Sequence, residues 1–152
     1  MKGDNVLNMF EHSASFLVSE QKQFGGGFLQ VSGVQVIYDK NKPVGSRVIS
    51  LKFYDVNSSV DKKYKLLNNS ADYAVIMNSF MIDGGDRYSI VQSDAETYKT
   101  EMLDIDMVCK YISLKSPIAP ETEGRIVILN AADRAFVMKS LVLASITCIF
   151  YL

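Results

Sequence analysis

The sequence is poor in the residues that build metal centres, disulfide frameworks and nucleic-acid surfaces. Of its 152 residues one is histidine, His12, and two are cysteine, Cys109 and Cys148. A lone imidazole supplies neither a His-rich metal site nor a multi-His catalytic centre. Two cysteines make no disulfide framework, and Cys148 falls in an apolar tail. Acidic and basic residues nearly cancel, 17 Asp and Glu against 16 Lys and Arg, so the basic excess of a nucleic-acid binder is missing. The opening Met1-Lys2-Gly3-Asp4-Asn5 has no apolar core and does not read as a secretory signal peptide. Internal repeats and low-complexity stretches are absent too. What is present, 48% hydrophobic and 22% charged residues, suits one domain with a real core and argues against disorder.

Residues 4–20 carry a helical pattern, with Asp4 as a candidate cap and Val6, Leu7, Phe10, Ala14, Leu17 and Val18 on a helical period. Gly25-Gly26-Gly27 breaks it. Phe28 to Tyr38 predicts a strand bent or bulged at Ser32-Gly33; Arg47 to Tyr54 predicts a second, with Ile49, Leu51 and Phe53 on one face. The breaker-rich Asp39 to Ser46 between them makes a hairpin. After a polar loop from Asp55 to Lys63, Tyr64–Leu67 and Tyr73–Asn78 read as two more strands, and Ile82 to Arg87 as a loop around Gly84-Gly85. Glu101 to Leu114 predicts a helix with Met102, Ile105, Val108, Cys109 and Ile112 on one stripe, Cys109 being a small buried residue of it. Asp104 and Asp106 belong at its start, facing water or capping it. Pro117 and Pro120 precede a last short strand, Arg125 to Leu129. Hairpins mixed with helices mean an α+β fold with mostly antiparallel strands and flanking helices.

The end of the chain is different. Ser140 to Leu152 has no charged side chain, and Lys139 alone interrupts the apolar run from Ala135. That run is short of the roughly 20 residues needed to span a bilayer. Upstream stand the small residues Asn130-Ala131-Ala132, then Asp133 and Arg134. Small triplet, polar spacer and terminal apolar tail form the layout of a glycosylphosphatidylinositol (GPI) attachment signal, with Asn130 as the attachment residue. The other reading of residues 130–152 is a core strand or helix. A lipid anchor implies the extracellular face of the plasma membrane. Asn57-Ser58-Ser59 and Asn68-Asn69-Ser70 fit the N-glycosylation pattern and suit the same compartment.

Two segments carry the chemistry. Gly27-Phe28-Leu29-Gln30-Val31-Ser32-Gly33 and Asn78-Ser79-Phe80-Met81-Ile82-Asp83-Gly84-Gly85-Asp86 each set an aromatic ring beside permissive glycines. Two phenyl rings on opposed loops can sandwich a flat heterocycle, and a turn at Gly84-Gly85 can return the Asp86 carboxylate toward Phe80. A carboxylate accepts hydrogen bonds from both hydroxyls of a ribose. Phe80 in a core and Asp86 in an ordinary turn is the alternative.

Further matches accompany these segments: FEHS (Phe10–Ser13), the Tyr38-Asp39 strand end, KPVGSRV (Lys42–Val48), DIDMVCKYIS (Asp104–Ser113) and EGRI (Glu123–Ile126). Together they resemble the C-terminal domain of the 5′-nucleotidase family, of the animal ecto-5′-nucleotidase and apyrase type, over nearly the whole chain. The resemblance implies a layered α/β/β/α domain, incomplete at its start, over residues 1–129, with the GPI signal in 130–152. It implies that Phe28 and Phe80 stack on the base and that Asp86 contacts the ribose hydroxyls. Family members hydrolyse nucleoside 5′-monophosphates, of adenosine type here, and arthropod relatives act as apyrases on ATP and ADP. The family's two metal ions, usually zinc, and its catalytic His–Asp pair belong to an N-terminal metallophosphoesterase domain that these residues do not include, so no catalytic or metal residue is assigned here. Expected partners are that domain, the nucleotide, the membrane through the lipid anchor and a second copy, since family members pair through this domain; nucleic acid is not among them. A non-catalytic extracellular nucleotide-binding protein is the competing expectation. The sequence departs from the family pattern at Arg87, since Gly and an aromatic usually follow GGD and here Arg87-Tyr88 follow, and at the glycine-rich Gly25–Gly27. The vertebrate-type Cys pair in the loop after the second hairpin strand is absent, and Asn57-Ser58-Ser59 stands there instead. His12 is expected to pack or cap within its helix.

Overall fold

The computed structural model describes residues 1–17, 26–56, 64–94 and 102–129. The chain opens with helix α1 (Gly3–Ser15), which lies on a sheet whose first strands are β1 (Val34–Asp39), β2 (Val48–Tyr54) and β3 (Tyr64–Leu66). Then come the short helix α2 (Ser79–Ile82), a 3₁₀ turn at Gly85–Arg87, helices α3 (Ser89–Asp94) and α4 (Asp104–Lys115), and strand β4 (Ile126–Leu129). The sheet order is β3-β2-β1-β4, antiparallel except for the parallel β1–β4 pair. The α+β class and the mostly antiparallel sheet agree with the sequence pattern. A parallel pair needs a long crossover, and the helices α2 to α4 lie within it.

Helix α1 buries Val6, Met9, Phe10, Ser13 and Ala14, the spacing of one helical face. That face meets Val36, Tyr38 and Leu51 of the sheet, with Tyr88 and Val91 closing the core. Asp4 does not cap the helix: the cap position is Lys2, which makes no side-chain cap bond. The leading N–H groups are satisfied at long range instead. Gly3 N–H donates to Ala71 O and Asp4 N–H to Asn69 O, so the orphan donors of the first turn are met by a loop from far along the chain. At the other end the Arg47 guanidinium donates to Ala14 O at 2.7 Å and Leu17 O at 3.0 Å. The Glu11 carboxylate accepts the N–H groups of Arg47 and Val48, both at 2.8 Å. These bonds lock α1 to the start of β2.

The hairpin forms where breakers and alternation put it, but β1 starts later than expected. Residues 28–33 lie outside the strand, and Gly33, at φ 70°, makes the bend. The register slips between Ile37 and Tyr38: Ile37 faces Ser50 and Tyr38 faces Val48, leaving Ile49 as the extra residue of a bulge. Tyr73–Asn78 alternates in burial as a strand would, yet it is not a strand. Among the described residues its side of the chain pairs only through the Lys2–Asp72 bridge, with the Met1 and Tyr73 backbones bonded to one another. Period-two alternation requires a half-buried extended chain; it does not require a ladder.

Helix α4 departs furthest from expectation. Its apolar stripe is exposed, Ile105 at 58%, Val108 at 53% and Ile112 at 47%, and Cys109 is exposed rather than buried. An amphipathic face is buried only if another surface meets it, and no described element packs closely on α4. Asp104 and Asp106 sit in its first turn, in water, as expected. A single sheet is seen among the described residues, so the second layer that the resemblance implies is not seen there. The sequence features at Asn57, Asn130 and the tail lie outside the described residues.

Candidate functional site

Asn78 begins the segment that carries Phe80 and Asp86. Its side chain accepts the Met81 N–H at 3.0 Å and so caps α2. One turn later the chain reverses through Gly84, at φ 86°. The reversal folds the Phe80 ring directly against Gly85, where a Cβ would collide with the ring. Glycine is required at 85 for that approach. Phe80 is 57% exposed and Asp86 is exposed. One tight turn therefore presents a phenyl face and a carboxylate to solvent together.

The turn is strained past its glycines. Asp86 has φ 50° and ψ 27°, and Arg87 has φ 65°, a region that costs a residue with a Cβ about 1–2 kcal/mol. A glycine at position 87 would avoid its share of this cost; this chain carries Arg87. Arg87→Gly is expected to raise stability by about 0.5–1 kcal/mol, the strain relieved less the added backbone entropy of glycine. Urea unfolding midpoints measure it, and a less stable glycine variant would contradict the strain argument.

Phe28 sits on the other segment. It is half-buried, and its ring packs against Tyr38 with centroids 5.8 Å apart. Both neighbours of Phe28 are held from a distance. Tyr88 donates its hydroxyl proton to Gly27 O at 2.5 Å, and Leu29 N–H donates to the Ser13 hydroxyl at 2.9 Å. His12, next to Ser13 on α1, has Nε2 2.7 Å from Asp86 O and its ring edge-on to Tyr88 at 4.5 Å. The structure thus ties the Phe28 loop and the Asp86 turn to the same turn of α1. It shows Phe28 against Tyr38, and Phe80 against Gly85. An open apolar cleft of about 240 Å³ lies between the two segments, lined among others by Val6, Phe10, Leu29, Val31, Met77 and Met81. Phe28, Phe80 and Asp86 are not among its lining residues.

Three residues central to this arrangement were not picked out as site residues by sequence reasoning. Tyr88 enters the sequence reading only as the aromatic after Arg87, and His12 only as a residue that packs or caps its helix. It does pack, but it also holds the Asp86 turn. Ser13 had a readable signal: a polar residue on the buried face of an amphipathic helix must find a hydrogen bond. Burial pushes Tyr88 up to about 12, a Ser13 hydrogen bond partly opposing and the Asp86 charge adding to the rise. Tyr38 is raised further, chiefly by burial, with Ser13 again opposing. Both phenols are therefore neutral donors at physiological pH.

The two metals named by the resemblance do not fit this donor set. Among the described residues no three His, Cys, Asp or Glu side chains gather as ligands, and the lone imidazole is engaged with Asp86. No hydrolytic step is assigned to these residues.

The profile of the 5′-nucleotidase C-terminal domain matches residues 1–93. The chain is 35% identical over 130 residues to a snake venom 5′-nucleotidase of Macrovipera lebetinus, covering 86% of this chain and 31% of that protein. It is 34% identical over 131 residues to an apyrase of Tabanus yao, covering 86% of this chain and 23% of the relative. Among solved structures, the 5′-nucleotidase precursor of Thermus thermophilus superposes with a TM-score of 0.72 at 31% identity, over 86% of this chain and 24% of that one. The chain therefore spans less than a third of the length of each of these three proteins. With the α1–hairpin core, the capped turn at Phe80–Asp86 and these matches agreeing, the chain belongs to the 5′-nucleotidase family and carries that family's C-terminal domain.

Proposed function

We propose that this chain is the nucleoside-binding part of a 5′-nucleotidase that hydrolyses nucleoside 5′-monophosphates to nucleoside and phosphate. The metal-bearing catalytic part belongs to a further domain of the longer protein. When bound there, the metals supply Lewis acidity and an activated water. Here Phe28 and Phe80 hold the base, and Asp86 accepts hydrogen bonds from the ribose hydroxyls. One observation carries the reading: a single turn carries both the exposed Phe80 ring, folded on Gly85, and the exposed Asp86, and α1 ties that turn to the Phe28 loop. The names of the relatives supply the reaction class. The apyrase of Tabanus yao, at 34% identity, favours a second reading in which ATP and ADP are substrates.

The test is Asp86→Ala in the longer protein, with phosphate release from AMP as the readout. The loss of charge-assisted hydrogen bonds to ribose is expected to raise KM about tenfold or more. An unchanged KM would remove Asp86 from the site. Metal-dependent phosphate release by the 152-residue chain alone would overturn the division between binding and catalytic parts.

The cellular setting is proposed from the sequence. Residues 130–152 act as a GPI signal with attachment at Asn130, placing the domain on the outer face of the plasma membrane. Asn57 and Asn68 are the glycan acceptors. Asn68 is exposed at the turn into residues 69–71, where a glycan would stand in water.

A further inference from the structure

We infer that His12 is a positioning residue for the nucleoside site: its imidazole N–H sets the conformation of the Asp86 turn and registers that turn against the Phe28 loop. The inference rests on the nucleoside-binding reading for its consequence, but not for its geometry.

The argument begins with the strain at Asp86 and Arg87. Two consecutive residues with a Cβ in the left-handed region persist only where their surroundings over-determine them. The Asp86 carbonyl is the group that any relaxation of this turn would rotate. It is met by His12 Nε2 at 2.7 Å, across 74 positions of sequence. A carbonyl oxygen only accepts, so Nε2 carries the hydrogen.

The imidazole is itself held. It meets Tyr88 edge-on at 4.5 Å and 86°, and Phe16 edge-on at 5.2 Å and 84°. Two perpendicular rings leave it little freedom to turn. Tyr88 then reaches past His12 to Gly27 O at 2.5 Å, on the residue before Phe28. Ser13, adjacent to His12, accepts the N–H of Leu29, the residue after Phe28. His12 and Ser13 of α1, together with the Tyr88 that packs on His12, therefore hold both flanks of Phe28 and the carbonyl of Asp86. The separation of the base-stacking loop from the ribose-binding acid is set by a rigid helix rather than by two independent loops. Held sites of this kind bind without first ordering their loops, which strengthens binding.

The prediction separates the hydrogen bond from the packing. His12→Phe keeps an aromatic ring between Tyr88 and Phe16 and deletes the donor; His12→Gln keeps a donor and deletes the ring. Amide hydrogen exchange on the full chain reads the turn directly. His12→Phe is expected to speed exchange across residues 84–88 about tenfold and leave the β1–β2 hairpin unchanged, while His12→Gln stays close to wild type in residues 84–88. Unchanged exchange in His12→Phe, or equal loosening in both variants, overturns the inference. Calorimetric titration with adenosine, in the same variants, reads the consequence: His12→Phe is expected to weaken binding about tenfold and His12→Gln to restore it. Should the wild-type chain give no heat with adenosine, the nucleoside reading fails at that point, and exchange across residues 84–88 still decides whether His12 holds the turn.

Discussion

Phe80→Ala should weaken nucleotide binding by about 5–150-fold, the range of a stacked base on one aromatic ring at about 1–3 kcal/mol, and should leave the fold nearly as stable as before. The second half of that expectation makes the first half informative. Phe80 is 57% exposed, and its ring lies on the backbone of Gly85 rather than in the α1–sheet core. Deleting a largely exposed ring removes little burial, so stability should shift by about 0.5 kcal/mol at most. A ring kept largely in water, outside the core, has no structural duty that explains its position. Phe28→Ala makes the contrast. Phe28 is half-buried on Tyr38, so its loss should lower stability and binding together. The measurements are KM for AMP in the longer protein and the urea midpoint of each variant. A Phe80→Ala enzyme with wild-type KM would remove the stacking role, whatever Phe28 does.

The local parts of this architecture were readable before any coordinates. The hairpin follows from alternation on both sides of a breaker-rich turn. Helix α1 follows from one apolar face, and β4 from its run of apolar residues. Each depends on neighbours in sequence. What was misread depends on partners far away. Asp4 looked like a cap, but residues 69–71 satisfy the first turn of α1. Residues 73–78 alternate like a strand, but a ladder needs a second chain segment. The stripe on α4 looked like core, because apolar spacing records an appetite for burial and not whether anything meets it. The candidate site divides in the same way. Phe28, Phe80 and Asp86 could be named from residue type, glycine context and resemblance. Their connection could not, because it runs through pairs separated by 61 and 74 residues.

Alkaline pH offers the strongest test of that connection. Tyr38 and Tyr88, each 1% exposed, converge on the buried Ser13 hydroxyl. Ionising either phenol in place would bury a charge, so both stay protonated in the folded chain. Tyr88 is held up to about 12 against 10.0 in an exposed phenol, with burial the first cause. The sign follows from which state binds the proton. Above pH 10 the unfolded chain loses the phenolic proton while the folded chain keeps it, so stability falls as pH rises. The contribution is complete below pH 10 and lost as pH climbs through about 12. Tyr88 alone accounts for roughly 2–3 kcal/mol over that span, and Tyr38 adds to it in the same direction. Urea midpoints between pH 8 and about 12 should therefore drop steeply, and the phenolate absorbance of these two tyrosines should appear only with unfolding. Tyr88→Phe sharpens the result. It should cost about 1 kcal/mol at neutral pH, because Gly27 O loses its donor, yet lessen the alkaline fall, because one of the two phenols that drive it is gone and only Tyr38 remains. If all eight tyrosines ionise together near pH 10 in the native chain, the phenols are not buried on Ser13, and the link from α1 to both loops is not there.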